Sequence, residues 1–113
     1  MDCLFCKMVK GEIPCTKVYE DDKVLAFEDI NPAAPVHVLI IPKEHYDNVG
    51  DDVPQEVLGY LLQTVKKIAE IKEIDKSGYR VSINTGSDGG QTVNHLHLHV
   101  NGGAPLYCGS LVI

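Results

Sequence analysis

Short runs of strand-forming residues, separated by turn-forming residues, predict five β-strands in this chain. The first two flank the acidic pair Asp21-Asp22 and predict a hairpin, and the third is aliphatic enough to be buried on both faces. A glycine-rich loop joins the last two. The predicted strands cover residues 16–20, 24–28, 36–41, 79–84 and 93–100.

One apolar stripe at helical spacing predicts a single long helix over residues 53–73. Asp52 is the expected N-cap, with Gln55 completing a capping box. Asp2 is expected to cap a short helix over residues 3–9. The stripe consists of Val57, Leu58, Leu61, Leu62, Val65, Ile68 and Ala69. Five strands with hairpin and loop connections and one long helix predict an α+β fold with a mostly antiparallel sheet.

The composition fits one domain covering residues 1–113, with 44% hydrophobic and 23% charged residues. A net charge of −6 argues against a protein that binds a nucleic-acid polymer through a basic face. No apolar run approaches the ~18 residues of a membrane span, and the first residues do not form a signal peptide. We therefore expect a cytoplasmic protein without a membrane partner.

Residues 91–100 carry the strongest chemical signal in the chain. His95, His97 and His99 alternate with aliphatic residues, so strand geometry should place three imidazoles on one face and the aliphatic side chains on the other. A neutral imidazole is a nucleophile, a base and a metal ligand near pH 7. This arrangement favours group transfer or metal binding.

Cys3 and Cys6 form a Cys-x-x-Cys pair, which fits either a zinc site or a redox site. A redox pair of this kind is expected after a strand in a βαβ pattern, whereas this pair opens the chain. Disulfides are a poor explanation for the four cysteines of a chain expected in the cytoplasm.

Residues 91–100 resemble the signature of the histidine triad family, in particular its Hint-type nucleotide hydrolases and transferases. Residues 5–14, 26–30, 37–45 and 84–86 resemble the same branch in order and spacing, so the resemblance covers about residues 3–103. It implies a five-stranded sheet that pairs with a second copy, giving a homodimer with a ten-stranded sheet.

The resemblance also implies catalytic roles for the histidines. His97 would attack the α-phosphate to form a nucleotidyl-histidine that water then hydrolyses. His99 would donate a proton to the leaving group or contact the bridging atom. His95 completes the catalytic triad, and His37 would be a core histidine that supports it.

A nucleotide pocket follows from the same resemblance. The loop before the histidines would line the α-phosphate, Asp29 would accept hydrogen bonds from the ribose hydroxyls, and apolar side chains would hold the base. Taken singly, the apolar residues could equally be ordinary core. The expected nucleotide-binding residues are Phe5, Ile13, Phe27, Asp29, Ile30, Asn84, Gly90, Gln91, Thr92, Val93, His97 and His99. Position 28 is Glu, where the animal Hint proteins carry histidine.

Zinc-carrying members of this superfamily use four positions that are filled here by Cys3, Cys6, His45 and His95. Two thiolates and two imidazoles would form a closed, structural Zn²⁺ site. The alternative is that His95 only hydrogen-bonds within the triad while His45 lies at the surface.

The resemblance leads us to expect a purine nucleoside phosphoramidase that releases a nucleotide such as AMP or GMP. A dinucleoside polyphosphate hydrolase and a non-catalytic nucleotide- or zinc-binding module are the alternatives. Hint proteins usually end in a tryptophan-containing tail that helps select the leaving group across the dimer. Residues 104–113 lack tryptophan, and they are expected near the partner's site.

Overall fold

In the computed structural model, which describes residues 3–106, five antiparallel strands form one sheet in the order β1-β2-β3-β5-β4. The strands are β1 Lys17–Glu20, β2 Val24–Glu28, β3 Val36–Pro42, β4 Tyr79–Ser82 and β5 Leu98–Gly102, and the helices are α1 Leu4–Val9 and α2 Gln55–Ile71. The α+β fold and the hairpin between the first two strands are therefore confirmed. No helix within residues 3–106 is long and apolar enough to cross a membrane.

The two faces of the sheet carry separate hydrophobic clusters. Alternate residues of β2, β3 and β5 pack against α2, and the intervening residues of β2 and β3 pack towards α1. Leu61, Val65 and Ile68 of the predicted stripe are buried against the sheet, whereas Leu62 is 55% exposed. Leu62 was therefore wrongly placed in the core stripe.

The predicted capping box at the start of the long helix is wrong. The helix begins at Gln55, and its N-cap is Pro54, whose side chain makes no capping hydrogen bond. The Pro54 carbonyl accepts from the backbone N–H groups of Val57 and Leu58, at 3.0 and 3.2 Å. A residue before proline is restricted to extended conformations, which prevents Val53 from starting the helix.

The other end of α2 forms a hydrogen-bonded Schellman turn. The Ile74 N–H donates to the Ala69 carbonyl at 2.9 Å, and the Glu73 N–H donates to the Glu70 carbonyl at 3.2 Å. Glu73 has a φ of 57°, a left-handed conformation that glycine usually occupies at this position. Buried Ile74 then anchors the chain against the sheet.

The histidine segment begins as an irregular loop and becomes a strand only at Leu98, later than the predicted start at residue 93. The Leu96 N–H donates to the Tyr46 carbonyl at 2.7 Å, and the His95 N–H donates to the Val93 carbonyl at 2.9 Å. The first bond ties the histidine segment to the residues that follow β3, and the second forms a local turn. The predicted separation of side chains still holds, since Leu96, Leu98 and Val100 lie in the cluster against α2.

Helix α1 brings the two N-terminal cysteines to the histidine side of the sheet. The Cys3 Sγ atom caps the helix by accepting a hydrogen bond from the Cys6 N–H at 3.3 Å. The expected cap, Asp2, lies outside the described residues. Phe5, in the first turn, is buried on the same side as Phe27 and Leu39.

Candidate active site and metal centre

His97 and His99 lie side by side in the protein interior. Their ring centroids are 5.0 Å apart, and His37 on the neighbouring strand lies 5.1 Å from His99. All three side chains are buried. Because β3 pairs with β5 in a register that aligns Leu39 with His99, the sheet itself sets the distance between His37 and His99.

Backbone contacts determine which nitrogen of His97 carries the proton. Its Nδ1 atom lies 2.6 Å from the His95 carbonyl oxygen. A carbonyl can only accept, so Nδ1 must donate and the lone pair is left on Nε2. The Phe5 ring packs perpendicular to the His97 ring, with centroids 5.2 Å apart, and holds its orientation. A neutral His97 therefore has its lone pair on Nε2.

A chain of two hydrogen bonds sets the opposite tautomer in His99. The Ala33 N–H donates to His37 Nδ1 at 3.0 Å, so the ring proton of a neutral His37 is on Nε2. That Nε2–H faces His99 Nδ1 at 2.8 Å. The proton of His99 must then be on its own Nε2. The two neighbouring imidazoles consequently differ, with Nε2 a lone-pair donor in His97 and an N–H donor in His99.

Burial keeps these rings neutral near pH 7. It lowers the pKa of His97 and of His37 below the ordinary value of 6.5. Burial, together with the neighbouring His97 and His37, lowers the pKa of His99 to about 4. The Asp29 carboxylate lies 3.4 Å from His37 Nε2. It raises the pKa of His37, but by less than burial lowers it. A lowered pKa keeps the His97 lone pair free of a proton, as a nucleophile requires.

A cavity of about 250 Å³ opens beside the two histidines. It lies between α1, the start of β1 and the end of β2. The residues that line it are Leu4, Phe5, Met8, Pro14, Cys15, Thr16, Phe27, Glu28, Asp29, Ile30, Asn31, Leu39, Thr92, Val93, His97 and His99. Eight of the twelve predicted nucleotide-binding residues are in this lining. The cavity combines an apolar wall from α1 and β2 with a polar end at the histidines.

Ile13, Asn84, Gly90 and Gln91 are the four predicted nucleotide-binding residues outside that lining. The Gln91 side chain accepts from the Gly86 N–H at 2.9 Å and donates to the Val93 carbonyl at 2.9 Å. Gln91 therefore braces the glycine-rich loop against the histidine segment. Ile30 lines the cavity but remains 90% exposed.

The glycine-rich loop has two positions at which a larger residue does not fit. A Cβ atom at Gly89 would overlap the backbone carbonyl of Thr85. Gly90 has a φ of 83°, which L-residues rarely adopt. These glycines let the loop turn tightly before Thr92 and Val93, which line the cavity.

Cys3, Cys6, His45 and His95 form a second cluster whose four ligand atoms all lie within 4.8 Å of one another. Cys3 Sγ lies 3.3 Å from His95 Nδ1, Cys6 Sγ lies 3.3 Å from His45 Nδ1, and the two Nδ1 atoms are 3.2 Å apart. Tetrahedral Zn²⁺, with bonds of about 2.0–2.3 Å, places its ligand atoms about 3.3–3.8 Å apart. The four predicted metal ligands therefore come together at the spacing of a tetrahedral site.

The partners of the two imidazoles support a cation between them. His95 Nε2 lies 2.9 Å from the Pro42 carbonyl, and His45 Nε2 lies 2.8 Å from an oxygen of Asp47. Both oxygens accept, so each neutral ring has its proton on Nε2 and a lone pair on Nδ1. The two Nδ1 lone pairs and the two sulfur atoms therefore converge, as the four ligands of a tetrahedral cation do. The donor set therefore fits Zn²⁺.

A third group of possible ligands, Asp29, His37 and His99, does not have the geometry of a tetrahedral zinc site. Its two imidazole nitrogens are 2.8 Å apart, a hydrogen-bond distance that is shorter than the separation of two nitrogens on tetrahedral Zn²⁺. This group holds a proton between its rings.

Several residues that complete these sites carried no sequence signal. The His95 and Pro42 carbonyls and the Ala33 N–H are backbone groups, which no residue type reveals. Asp47 follows His45 by two positions, a spacing that by itself indicates no interaction. The wall of the cavity also contains Cys15, which sits among apolar side chains and whose pKa is raised by burial.

Three comparisons place this geometry in a known group of proteins. The chain is 50% identical over 104 residues to a 14 kDa zinc-binding protein of Zea mays, covering 88% of this chain and 80% of the relative. A HIT family hydrolase from Legionella pneumophila Philadelphia 1 superposes with a TM-score of 0.93 at 45% identity, covering 96% of this chain and 99% of that one. A histidine triad nucleotide-binding protein from Candida albicans superposes with a TM-score of 0.83 at 40% identity, covering 88% and 73%.

The match extends over nearly the whole chain. The family model described as the HIT domain matches residues 10–106, which include the cavity wall from Pro14, the glycine-rich loop and all three histidines of residues 95–99. With the fold, the histidine arrangement and the relatives in agreement, this chain belongs to the HIT domain family.

Proposed function

We propose that the protein is a nucleotide hydrolase that cleaves the bond between the α-phosphate of a purine nucleotide and its leaving group. The observation that carries the proposal is the pair of opposite tautomers in His97 and His99. One ring presents a lone pair and its neighbour presents an N–H, both beside one cavity. Attack on phosphorus needs the lone pair of His97, and departure of the leaving group needs the N–H of His99.

The reaction has two chemical steps. His97 Nε2 attacks the α-phosphorus, forming a phosphorus–nitrogen bond to the ring as the bond to the leaving group breaks. The His99 Nε2–H donates to the departing atom. Water then attacks the phosphorus of the nucleotidyl-histidine, the phosphorus–nitrogen bond to His97 breaks, and a nucleoside monophosphate such as AMP or GMP is released. One proton of that water replaces the proton that His99 gave to the leaving group, so both histidines return to their starting states. The His95 carbonyl holds His97 Nδ1 throughout and stabilises the positive charge that develops on the ring.

A nucleotide would bind in this cavity with its base against the apolar wall and its phosphate towards the histidines. Phe5 and Phe27 meet edge to face at 5.3 Å and offer an apolar wall for a base. Asp29 also lines the cavity, and its carboxylate would accept hydrogen bonds from the ribose hydroxyls. Backbone N–H groups of the glycine-rich loop would then contact the phosphate. The Candida albicans neighbour is a histidine triad nucleotide-binding protein, which supports this assignment.

Among possible leaving groups, an amine is the one we propose, which makes the protein a purine nucleoside phosphoramidase. An amine is a poor leaving group without a proton, and the His99 Nε2–H would supply hydrogen bonding at the departing nitrogen. Dinucleoside polyphosphates are the second candidate, because the same histidine chemistry cleaves a phosphoanhydride.

The test is turnover of adenosine 5′-phosphoramidate set beside a diadenosine polyphosphate, for the wild type and for His97→Ala. We expect the variant to lose about 10³-fold or more in kcat, as removal of a covalent catalyst does. Val36→Ala, on the far side of β3 from the cavity, serves as a folded control. Near-normal turnover by folded His97→Ala would rule out the proposed mechanism.

The role of His99 can be tested separately, by comparing how fast substrates with different leaving groups are cleaved. In His99→Ala, amine leaving groups should be slowed more than acidic ones such as fluorophenols, because only the amine needs the donated proton. Equal slowing of both kinds would remove His99 from this role.

We further infer that Cys3, Cys6, His45 and His95 bind one Zn²⁺ per chain, which is consistent with the zinc-binding relative from Zea mays. A bound Zn²⁺ would supply a closed structural link between α1 and the histidine segment. Chelation should lower the melting temperature because the metal binds the folded state. Elemental analysis without zinc, together with no gain in stability when zinc is added, would contradict this assignment.

Homodimerisation is proposed on the exposed edge of the sheet. Strand β4 ends the strand order, so one of its edges is unpaired within residues 3–106. Tyr79 and Ile83 beside that edge and Leu62 on α2 are exposed apolar side chains. Helix α2 and strand β4 would contact a second copy through these exposed side chains. Leu61 and Ile68 are already buried against the chain's own sheet.

A further inference from the structure

Residues 29–33 form a loop that contacts both the cavity and His37. The Asp29 N–H donates to the His37 carbonyl at 3.0 Å, which continues the pairing of β2 with β3 by one residue. The Ala33 N–H donates to His37 Nδ1 at 3.0 Å. Asp29 itself lines the cavity. The loop that would bind the ribose therefore also holds His37, at its backbone and at its ring.

The two carboxylate oxygens of Asp29 have different neighbours. Oδ1 accepts a hydrogen bond from the Asn31 N–H at 2.8 Å, which fixes the carboxylate to the loop. Oδ2 lies 3.4 Å from His37 Nε2. Because a carboxylate oxygen has two lone pairs, the carboxylate can still accept hydrogen bonds from hydroxyl groups in the cavity.

The proton on His37 Nε2 is therefore attracted by two groups. It is donated to His99 Nδ1 at 2.8 Å, and the negative charge of Asp29 lies 3.4 Å from the same nitrogen. Water screens this attraction poorly, since the side chain of His37 is 4% exposed and that of Asp29 is 19% exposed. The strength of the His37–His99 hydrogen bond consequently depends on how much charge Asp29 presents to His37.

We propose that Asp29 couples ribose recognition to the chemical step, because ribose hydroxyls that donate to its carboxylate strengthen the hydrogen bond from His37 to His99. The hydroxyls spread the charge of the carboxylate and reduce its attraction for the His37 proton. A stronger bond at His99 Nδ1 withdraws electron density from that ring, so its Nε2–H becomes a better donor to the leaving group. His37 is thus a positioning residue that acts through His99.

This inference rests on the proposed function and adds to it a substrate preference for nucleotides with free ribose hydroxyls, expressed in the rate of cleavage as well as in binding. Only interactions that are stronger in the transition state than in the bound substrate raise that rate. Leaving groups that need a proton should therefore respond to the ribose hydroxyls, whereas acidic leaving groups should not.

The experiment measures single-turnover release of the leaving group from four substrates at saturating enzyme. They are adenosine 5′-phosphoramidate, the fluorophenyl ester of AMP, and the 2′,3′-dideoxy analogue of each. Without the hydroxyls, release of the amine should slow about tenfold, the size of one lost hydrogen bond, and release of the fluorophenol should change by no more than about twofold. Equal slowing of both would indicate a misplaced phosphate, and no slowing of either would indicate an effect on binding alone. Each of these two results would overturn the proposal.

A matched pair of variants tests the role of the carboxylate. Asp29→Asn removes the charge and keeps an oxygen that can accept from the Asn31 N–H. In this variant the amine should be released at nearly the same rate from the ribose and dideoxy substrates, although both should bind more weakly. Asp52→Asn neutralises an exposed carboxylate outside the cavity and should retain the tenfold difference. A tenfold difference that persists in Asp29→Asn would show that Asp29 does not transmit the effect.

The His37–His99 hydrogen bond can also be observed without turnover. In protein labelled with ¹⁵N-histidine, the scalar coupling between His37 Nε2 and His99 Nδ1 should be larger with bound AMP than with bound 2′,3′-dideoxy-AMP. Equal couplings, or failure of AMP to bind, would overturn the proposal.

These measurements separate the coupling from the proposed function. If AMP strengthens the hydrogen bond in a protein that cleaves none of the substrates, the coupling is supported and the hydrolase assignment fails. If the protein cleaves the phosphoramidate equally fast with and without ribose hydroxyls, the coupling is wrong and the hydrolase assignment stands.

Discussion

His99 makes the stability of the protein depend strongly on pH in the acidic range. Burial, with the neighbouring His97 and His37, lowers its pKa from 6.5 to about 4, and its side chain is only 8% exposed. Between these two values the unfolded chain binds a proton that the folded protein excludes. Protonation therefore favours the unfolded state, and the free energy of unfolding must fall as the pH is lowered from about 6.5 to about 4.

The size of this effect follows from the two pKa values. A tenfold change in proton affinity is worth about 1.4 kcal/mol, so His99 alone should lower the free energy of unfolding by about 3 kcal/mol across that range. Little of the loss should occur above pH 7, where the ring is neutral in both states. For a domain of this size, the loss is a large share of the ordinary stability of 5–15 kcal/mol.

Urea unfolding at pH 7, 6, 5 and 4 measures the effect, with His99→Asn as the matched variant. The Asn oxygen can accept from His37 Nε2–H in place of His99 Nδ1, so the neighbouring ring keeps a partner. Titrating groups away from His99 are present in both proteins and cancel in the difference. Wild type should lose about 3 kcal/mol more than His99→Asn between pH 7 and pH 4.

Parallel stability curves for the two proteins would show that the reasoning is wrong, because His99 would then titrate alike in the folded and unfolded states. An NMR titration of the His99 ring in the folded protein provides an independent check. A midpoint near 6.5 would identify the pKa, and not the linkage argument, as the error.

Three further predictions concern the helix end, the glycine-rich loop and assembly. Glu73→Gly should raise the free energy of unfolding by about 1 kcal/mol, because it relieves a left-handed backbone with φ of 57°, and an unchanged melting temperature would contradict that strain. Gly89→Ala should raise KM for adenosine 5′-phosphoramidate roughly tenfold in a folded protein, because its Cβ must displace the Thr85 carbonyl, and an unchanged KM would separate this loop from the phosphate. Sedimentation should give about twice the chain mass of 12.4 kDa, whereas a monomer at micromolar concentration would refute the proposed dimer.

Much of the fold could be predicted because its signals are local and periodic. The hairpin, the aliphatic strand and the stripe of α2 each follow from the spacing of apolar residues. The same alternation correctly separated Leu96, Leu98 and Val100 from the histidines between them. Errors occurred at element boundaries, where one proline or one backbone hydrogen bond decides the outcome. Pro54 moved the helix start, and the Leu96–Tyr46 bond delayed β5.

The sequence by itself determined which residue types are available for chemistry and which of them share a face of the sheet. Only the tertiary structure decided what each imidazole does. His37 meets His99 across 62 residues of chain, and Cys6 meets His45 across 39. The tautomers of His95 and His97 depend on two backbone carbonyls, at Pro42 and His95 itself. Every residue carries such a carbonyl, so its position in space, and not its presence in the sequence, determines which histidine keeps a free lone pair.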